Sequence, residues 1–171
     1  MRRALWLPGF VLLVGLAALA VAAVRAERTG GKEGGPATAP DRESATAAVQ
    51  AFLRLAAHLQ GSGGDLRFAE RIPAAGEVID ELVASAQFGR HLGQVEEPRL
   101  IRIVVRSAND AARGRIEVIT REYWTTRVIT ADGKVREIRT DVLDARYLVV
   151  RDGPAWKVAY WTLGDGKPGR S

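Results

Sequence analysis

Residues 135–163, VREIRTDVLDARYLVVRDGPAWKVAYWTL, hold two extended runs joined at Asp152-Gly153, and their reading decides the fold. From Val135 to Val150 apolar and polar side chains alternate, the period-two pattern of a strand with one buried face. Ala155–Leu163 alternates again, and Asp-Gly between two such runs signals a two-residue hairpin loop. Asp132-Gly133 repeats the signal after a third alternating run, Arg115–Thr130. A fourth, Leu100–Arg106 (LIRIVVR), precedes a looser turn at Asn109-Asp110. Four strands in sequence order predict an antiparallel meander. Sixteen extended residues would run about 53 Å at roughly 3.3 Å each. That is too long for a small flat sheet, so strong bending, with a bulge, is expected.

Ahead of the strands the period is helical. Asp41 after Pro40 reads as an N-cap, and Ala45, Val49, Phe52, Leu53, Ala56 and Leu59 form one apolar stripe, stopped by Gly61–Gly64. Asp65–Ile72 reads as a short helix closed by Pro73. Glu77–Phe88 reads as a third, ended by Gly89. The fold class is therefore α+β: three helices packed on a strongly bent antiparallel sheet of four or slightly more strands. The domain is expected over 41–165, with a disordered tail at 166–171.

The first forty residues read differently. Ala4–Val24 is an uncharged run of 21 residues after a three-residue tail bearing Arg2 and Arg3. As a helix it would measure about 31 Å, the thickness of a bilayer's hydrocarbon core. It reads as an uncleaved, single-pass transmembrane signal anchor with the N-terminus inside and the folded domain on the outer, periplasmic or extracellular side. The alternative is a cleaved signal and a secreted protein, whose apolar stretch is ordinarily shorter. Residues 25–40, with Gly30, Gly31, Gly34, Gly35, Pro36 and Pro40, read as a flexible linker.

Three helices followed by long bent strands ending in Asp152-Gly153-Pro154-Ala155-Trp156-Lys157-Val158, with Tyr147 shortly before, resemble the nuclear transport factor 2-like (SnoaL-like) superfamily. The resemblance implies a cone-shaped domain whose sheet wraps around the first helix. It also implies a choice of roles, since the superfamily holds cyclases, ketosteroid-isomerase-like enzymes and non-catalytic envelope members on single anchors.

Hairpin register makes the sheet's faces readable. A two-residue loop at Asp132-Gly133 sets Ile116 opposite Val149, Val118 opposite Tyr147, Thr120 opposite Ala145, Glu122 opposite Leu143 and Trp124 opposite Asp141. The same logic at Asp152-Gly153 adds Trp156 beside Val149, Val158 beside Tyr147 and Tyr160 beside Ala145. Val118, Trp124, Tyr147, Trp156 and Tyr160 are thus the expected lining of a concave pocket. Glu122, Asp141 and Tyr147 are the candidates for acid–base work there, since a carboxylate in an apolar pocket can act as a general base. The plainer expectation is that both acids are solvated at the cone's wide end. Alternation sends Trp161 to the outer face, where a large aromatic suits an interface with a protein partner or a second copy.

Composition removes other classes. The net charge of +5 and pI of 10.1 divide into +3 on residues 1–40 and +2 on the remainder, with alternating signs, so no phosphate-binding stripe for nucleic acid is expected. With no Cys and only His58 and His91, both expected in solvent or a loop, neither a metal site nor a cofactor is expected. The leading reading is a membrane-anchored, non-catalytic envelope domain for protein–protein interaction or assembly. A small-molecule-binding or SnoaL-like enzymatic domain using the acids in the cone is the alternative, and a secreted ligand carrier the third.

Overall fold

The computed structural model describes residues 36–112 and 114–164. The anchor, most of the linker and the tail expected above lie outside them, and among the described residues no helix is long and apolar enough to cross a membrane. The elements are α1 (Ala39–Gly61), α2 (Leu66–Ala69), α3 (Gly76–His91), β1 (Gln94–Ala112), β2 (Arg115–Thr130), β3 (Val135–Asp152) and β4 (Ala155–Leu163). The strands form one antiparallel sheet in the order β1-β2-β3-β4. This is the expected α+β meander.

Helix α1 starts two residues before Asp41. Thr38 is the N-cap, and Asp41 sits at the third helical position, where its carboxylate accepts from the Thr38 N–H at 3.0 Å and the Thr38 hydroxyl at 2.7 Å. Pro40 fits because the first turn's N–H groups need no helical partner. The apolar stripe of α1 buries Ala45, Val49, Phe52, Leu53 and Leu59 against Ile116, Val118, Ala145, Tyr147, Val149 and Val158 of the sheet. Helix α2 is only one turn, capped by Asp65. Helix α3 passes through Gly89 to His91 and ends where Gly93 turns to positive φ. Gly64 lets the turn after α1 approach α3: a Cβ there would stand 2.8 Å from Gln87 Cγ, on a backbone with φ +89°.

Strand β1 is 19 residues long, not the seven of Leu100–Arg106, and the turn after it is at Gly114 rather than Asn109-Asp110. Pro98 lies inside it, tolerated because β1 is an edge strand and one side of its backbone needs no ladder bond. Register shifts fall at Leu100/Arg102, Val105/Ser107 and Asp110/Ala112, each inserting one extra residue that bends the strand around α1.

Both hairpin loops differ from expectation by one residue. After β2 the Thr130 N–H donates to the Lys134 carbonyl, closing a three-residue loop, Ala131–Gly133. A shift between Val128 and Ile129 then restores the expected pairing from Arg115↔Val150 through Val128↔Glu137. In the last hairpin the loop is Gly153-Pro154, so Trp156 pairs with Arg151 and Val158 with Val149. A second shift, between Val158 and Tyr160, pairs Tyr160 with Leu148 and Trp161 with Tyr147. Tyr160 is therefore on the outer face, and Trp161 turns inward to pack against the core, reversing both expectations.

Candidate functional site

Glu122 lies on the inner face of β2, only 2% exposed. Its Oε1 accepts from the Thr120 hydroxyl and the Tyr147 phenol, each at 2.6 Å, and its Oε2 accepts from the Trp124 indole N–H at 2.9 Å. Thr120, Glu122 and Trp124 share one face because they are two residues apart on a strand. Tyr147 arrives differently. Its cross-strand partner is Val118, two inward positions away from Glu122, and the pair between them is Thr120↔Ala145. The long Tyr147 side chain leans along the sheet past Ala145, whose small side chain leaves the path open, and its ring meets Phe52 of α1 edge-on at 5.9 Å. A larger residue at 145 would block that reach.

A buried carboxylate without partners is costly, and hydrogen bonds that satisfy it offset the loss of water. Three neutral donors do so here, and no buried side-chain polar atom among the described residues lacks a partner. The expectation that Glu122 is solvated at the cone mouth is thereby corrected: α1 and the aromatic side chains cover the sheet at this level. Burial, and secondarily the negative charge of Glu122 and the bond donated to it, push the Tyr147 phenol well above its ordinary pKa near 10. Tyr147 is thus a donor throughout the physiological range.

Asp141 does not join this group. It stands opposite Trp124 with its side chain 46% exposed, and its ion pair is with Arg139, Nε to Oδ2, at 3.9 Å. Arg139 also reaches across the inner face to Glu96 of β1 at 2.8 Å. Asp141 is therefore exposed, as expected, and among the described residues no hydrogen bond joins it to Glu122.

The expected pocket is filled. Val118 and Tyr147 are at most 1% exposed and Trp156 8%, so these three side chains are covered by their neighbours. They are packed interior rather than pocket walls; Trp124 is partly buried, and Tyr160 is on the other face. Two shallow hollows lie elsewhere on the described residues. One, about 310 Å³, is lined by Arg42, Thr46, Gln50 and Ala108. The other, about 360 Å³, is lined by His58, Ser62, Phe68 and Glu97. His58 stacks on Phe68 with ring centroids 5.9 Å apart, and no group of His, Asp and Glu among the described residues could hold a metal ion.

Thr120 is the member of the cluster that sequence reasoning did not single out. Its signal was available in Thr-x-Glu-x-Trp, one acceptor flanked by two donors on the same face of one strand. Trp161 left a signal too: large apolar residues at 156 and 158, then at 161 and 163, change phase midway, as a bulge requires.

Fold and site together define an α+β domain with one satisfied carboxylate buried on the inner face of its sheet. No family model matches the chain, and neither does any curated protein. Among solved structures, the intermembrane space region of the chloroplast protein ARC6 is similar with a TM-score of 0.61 and 16% identity, over 72% of this chain and 95% of that one. Aln2 from a Streptomyces species is similar with a TM-score of 0.46 and 19% identity, over 69% of this chain and 88% of that one. At 16% identity the first likeness is one of fold.

Proposed function

We infer that this chain is a membrane-anchored, non-catalytic envelope domain of the nuclear transport factor 2-like kind, serving protein–protein interaction or assembly on the outer side of the membrane. The observation that carries the reading is the satisfied acid: Glu122 is buried, and both of its carboxylate oxygens are already engaged by three donors of the protein. A general base must come within hydrogen-bond reach of the proton it takes, and Glu122 faces only its own neighbours. What remains for function is the outside of the domain and its attachment. The 21 uncharged residues 4–24 supply the attachment. A domain of similar fold is the intermembrane space region of the chloroplast protein ARC6, and the reading is compatible with that use of the fold.

The test is fractionation of the full chain. It is expected in the membrane pellet after a high-salt wash, because hydrophobic insertion is indifferent to ionic strength. A soluble protein whose mature N-terminus lies near Glu27 would overturn the anchor and favour the secreted carrier. One observation favours the enzymatic alternative, the burial of Glu122 against a phenol. That reading requires a small molecule whose binding to the domain is lost in both Glu122→Gln and Tyr147→Phe.

A further inference from the structure

We propose that two copies of this chain join edge to edge along Glu137–Leu143 of β3, antiparallel about a two-fold axis at Thr140. The proposal rests on the interaction reading above and names its partner, a second copy.

Strand β4 covers β3 only from Ala145↔Leu163 to Asp152↔Ala155, and one further bond runs from the Gly164 N–H to the Asp144 carbonyl at 2.6 Å. Beyond it, no described residue pairs with Glu137–Leu143 on that side. Because the Asp144 carbonyl faces this side, the backbone N–H and C=O of Val142, Thr140 and Ile138 face it as well, since these directions repeat every second residue. The free side of β4 is partly covered instead: a short bridge joins Ala74 to Val158. An open stretch of strand is a template for another chain.

The sequence of the stretch selects the partner. About Thr140, EIRTDVL is self-complementary. Antiparallel pairing centred there puts Arg139 opposite Asp141 on the inner face, twice by symmetry. It also puts Ile138, 64% exposed, opposite Val142, 54% exposed, on the outer face. Neighbouring registers are worse. Centring on Arg139 sets it against itself and Glu137 against Asp141. Centring on Asp141 sets that acid against itself. Centring on Ile138 or Val142 overlaps only three residues of the open stretch. The register at Thr140 alone uses all seven residues and places no like charges opposite each other.

Disulfide trapping tests this cleanly because the chain has no cysteine. The full chain carrying Thr140→Cys, in its membranes under mild oxidation, is expected to give a disulfide dimer, since directly opposed residues of such a pair have Cα atoms about 5.5 Å apart. Ile138→Cys and Val142→Cys are expected to give about tenfold less, because in this register each faces the other rather than itself. Adding Asp141→Arg to Thr140→Cys turns both cross-strand pairs repulsive and should lower trapping about tenfold. Adding Arg139→Asp as well should restore it, which also shows that the charge variants fold. Absence of a Thr140→Cys dimer, equal trapping at 138 or 142, or indifference to Asp141→Arg would each overturn the proposal. A monomer that stays in the salt-washed pellet sinks the pairing and leaves the anchor intact. Loss from the pellet sinks the anchor alone.

Discussion

Tyr147→Phe removes one oxygen from the centre of this domain and little else. The phenol donates to Glu122 Oε1 at 2.6 Å, and Tyr147 is 1% exposed, so water cannot take the hydroxyl's place. The ring stays, with its edge contact to Phe52. A hydrogen bond to a charged acceptor contributes about 1.5–3 kcal/mol, and that is the expected loss, with Thr120 and Trp124 left to hold the carboxylate. The same change should cost less when residue 122 is Gln. The Trp124 indole can only donate, so the amide oxygen must face it and the amide NH₂ must face Thr120 and Tyr147. Both hydroxyls can rotate to accept. In that background Tyr147→Phe breaks a neutral bond and is expected to cost about 0.5–1.5 kcal/mol. Urea unfolding of residues 36–171, followed by tryptophan fluorescence, gives both differences, provided the slopes agree. A loss below about 0.5 kcal/mol in the parent chain, or the same loss in both backgrounds, would refute the description of Glu122 as a carboxylate held by this phenol.

Stability is expected to fall at alkaline pH. The folded phenol's pKa is raised, so this contribution is fully present below the unfolded value near 10 and is lost as pH rises toward the folded one; unfolding of Tyr147→Phe above pH ~10 should lack that component. Trp156→Ala empties a buried aromatic site and should cost about 3–5 kcal/mol in the same unfolding assay. Trp161→Ala, facing inward but less covered, should cost about 2–3 kcal/mol, and Tyr160→Ala, on the outer face, under about 1 kcal/mol. Gly64→Ala forces a Cβ within 2.8 Å of Gln87 Cγ at positive φ and should lower the thermal midpoint by the equivalent of about 1–3 kcal/mol.

The strands were legible because alternation and Asp-Gly turns are local, and the helices because their apolar stripe is continuous. What stayed hidden was wherever a one-residue choice is settled by the far side of the fold. The β2–β3 register illustrates this. The loop Ala131–Gly133 has one residue more than two Asp-Gly positions suggest, which alone would turn every inward side chain outward. The bulge at Arg136 of β3, opposite the step from Val128 to Ile129, reverses the error, because only then do Ile116, Val118 and Val149 meet α1. Near the chain's end the bulge after Val158 has no opposite number, so Tyr160 and Trp161 exchange faces. Burial of the sheet's apolar face dictates both outcomes; the loop sequence dictates neither.

Glu122 shows the same limit from the chemical side. Its face was readable from parity, but its burial depends on how far α1 and the aromatics extend over the sheet, which no local pattern encodes. Once covered, an acid at this position is acceptable only with donors at hand. Thr120 and Trp124 bring theirs from the same strand face, while Tyr147 reaches its place past the small Ala145. A slip of one residue between β2 and β3 would send the phenol to the opposite face and strip the carboxylate of its shortest cross-strand bond, while hiding polar groups in the core. The cluster therefore penalises misregistered pairing more heavily than an all-apolar layer would, since apolar side chains tolerate rearrangement and an unpartnered buried carboxylate does not. In a sheet whose loops leave the register open by one residue, a single satisfied acid in the interior is what makes the alternative expensive.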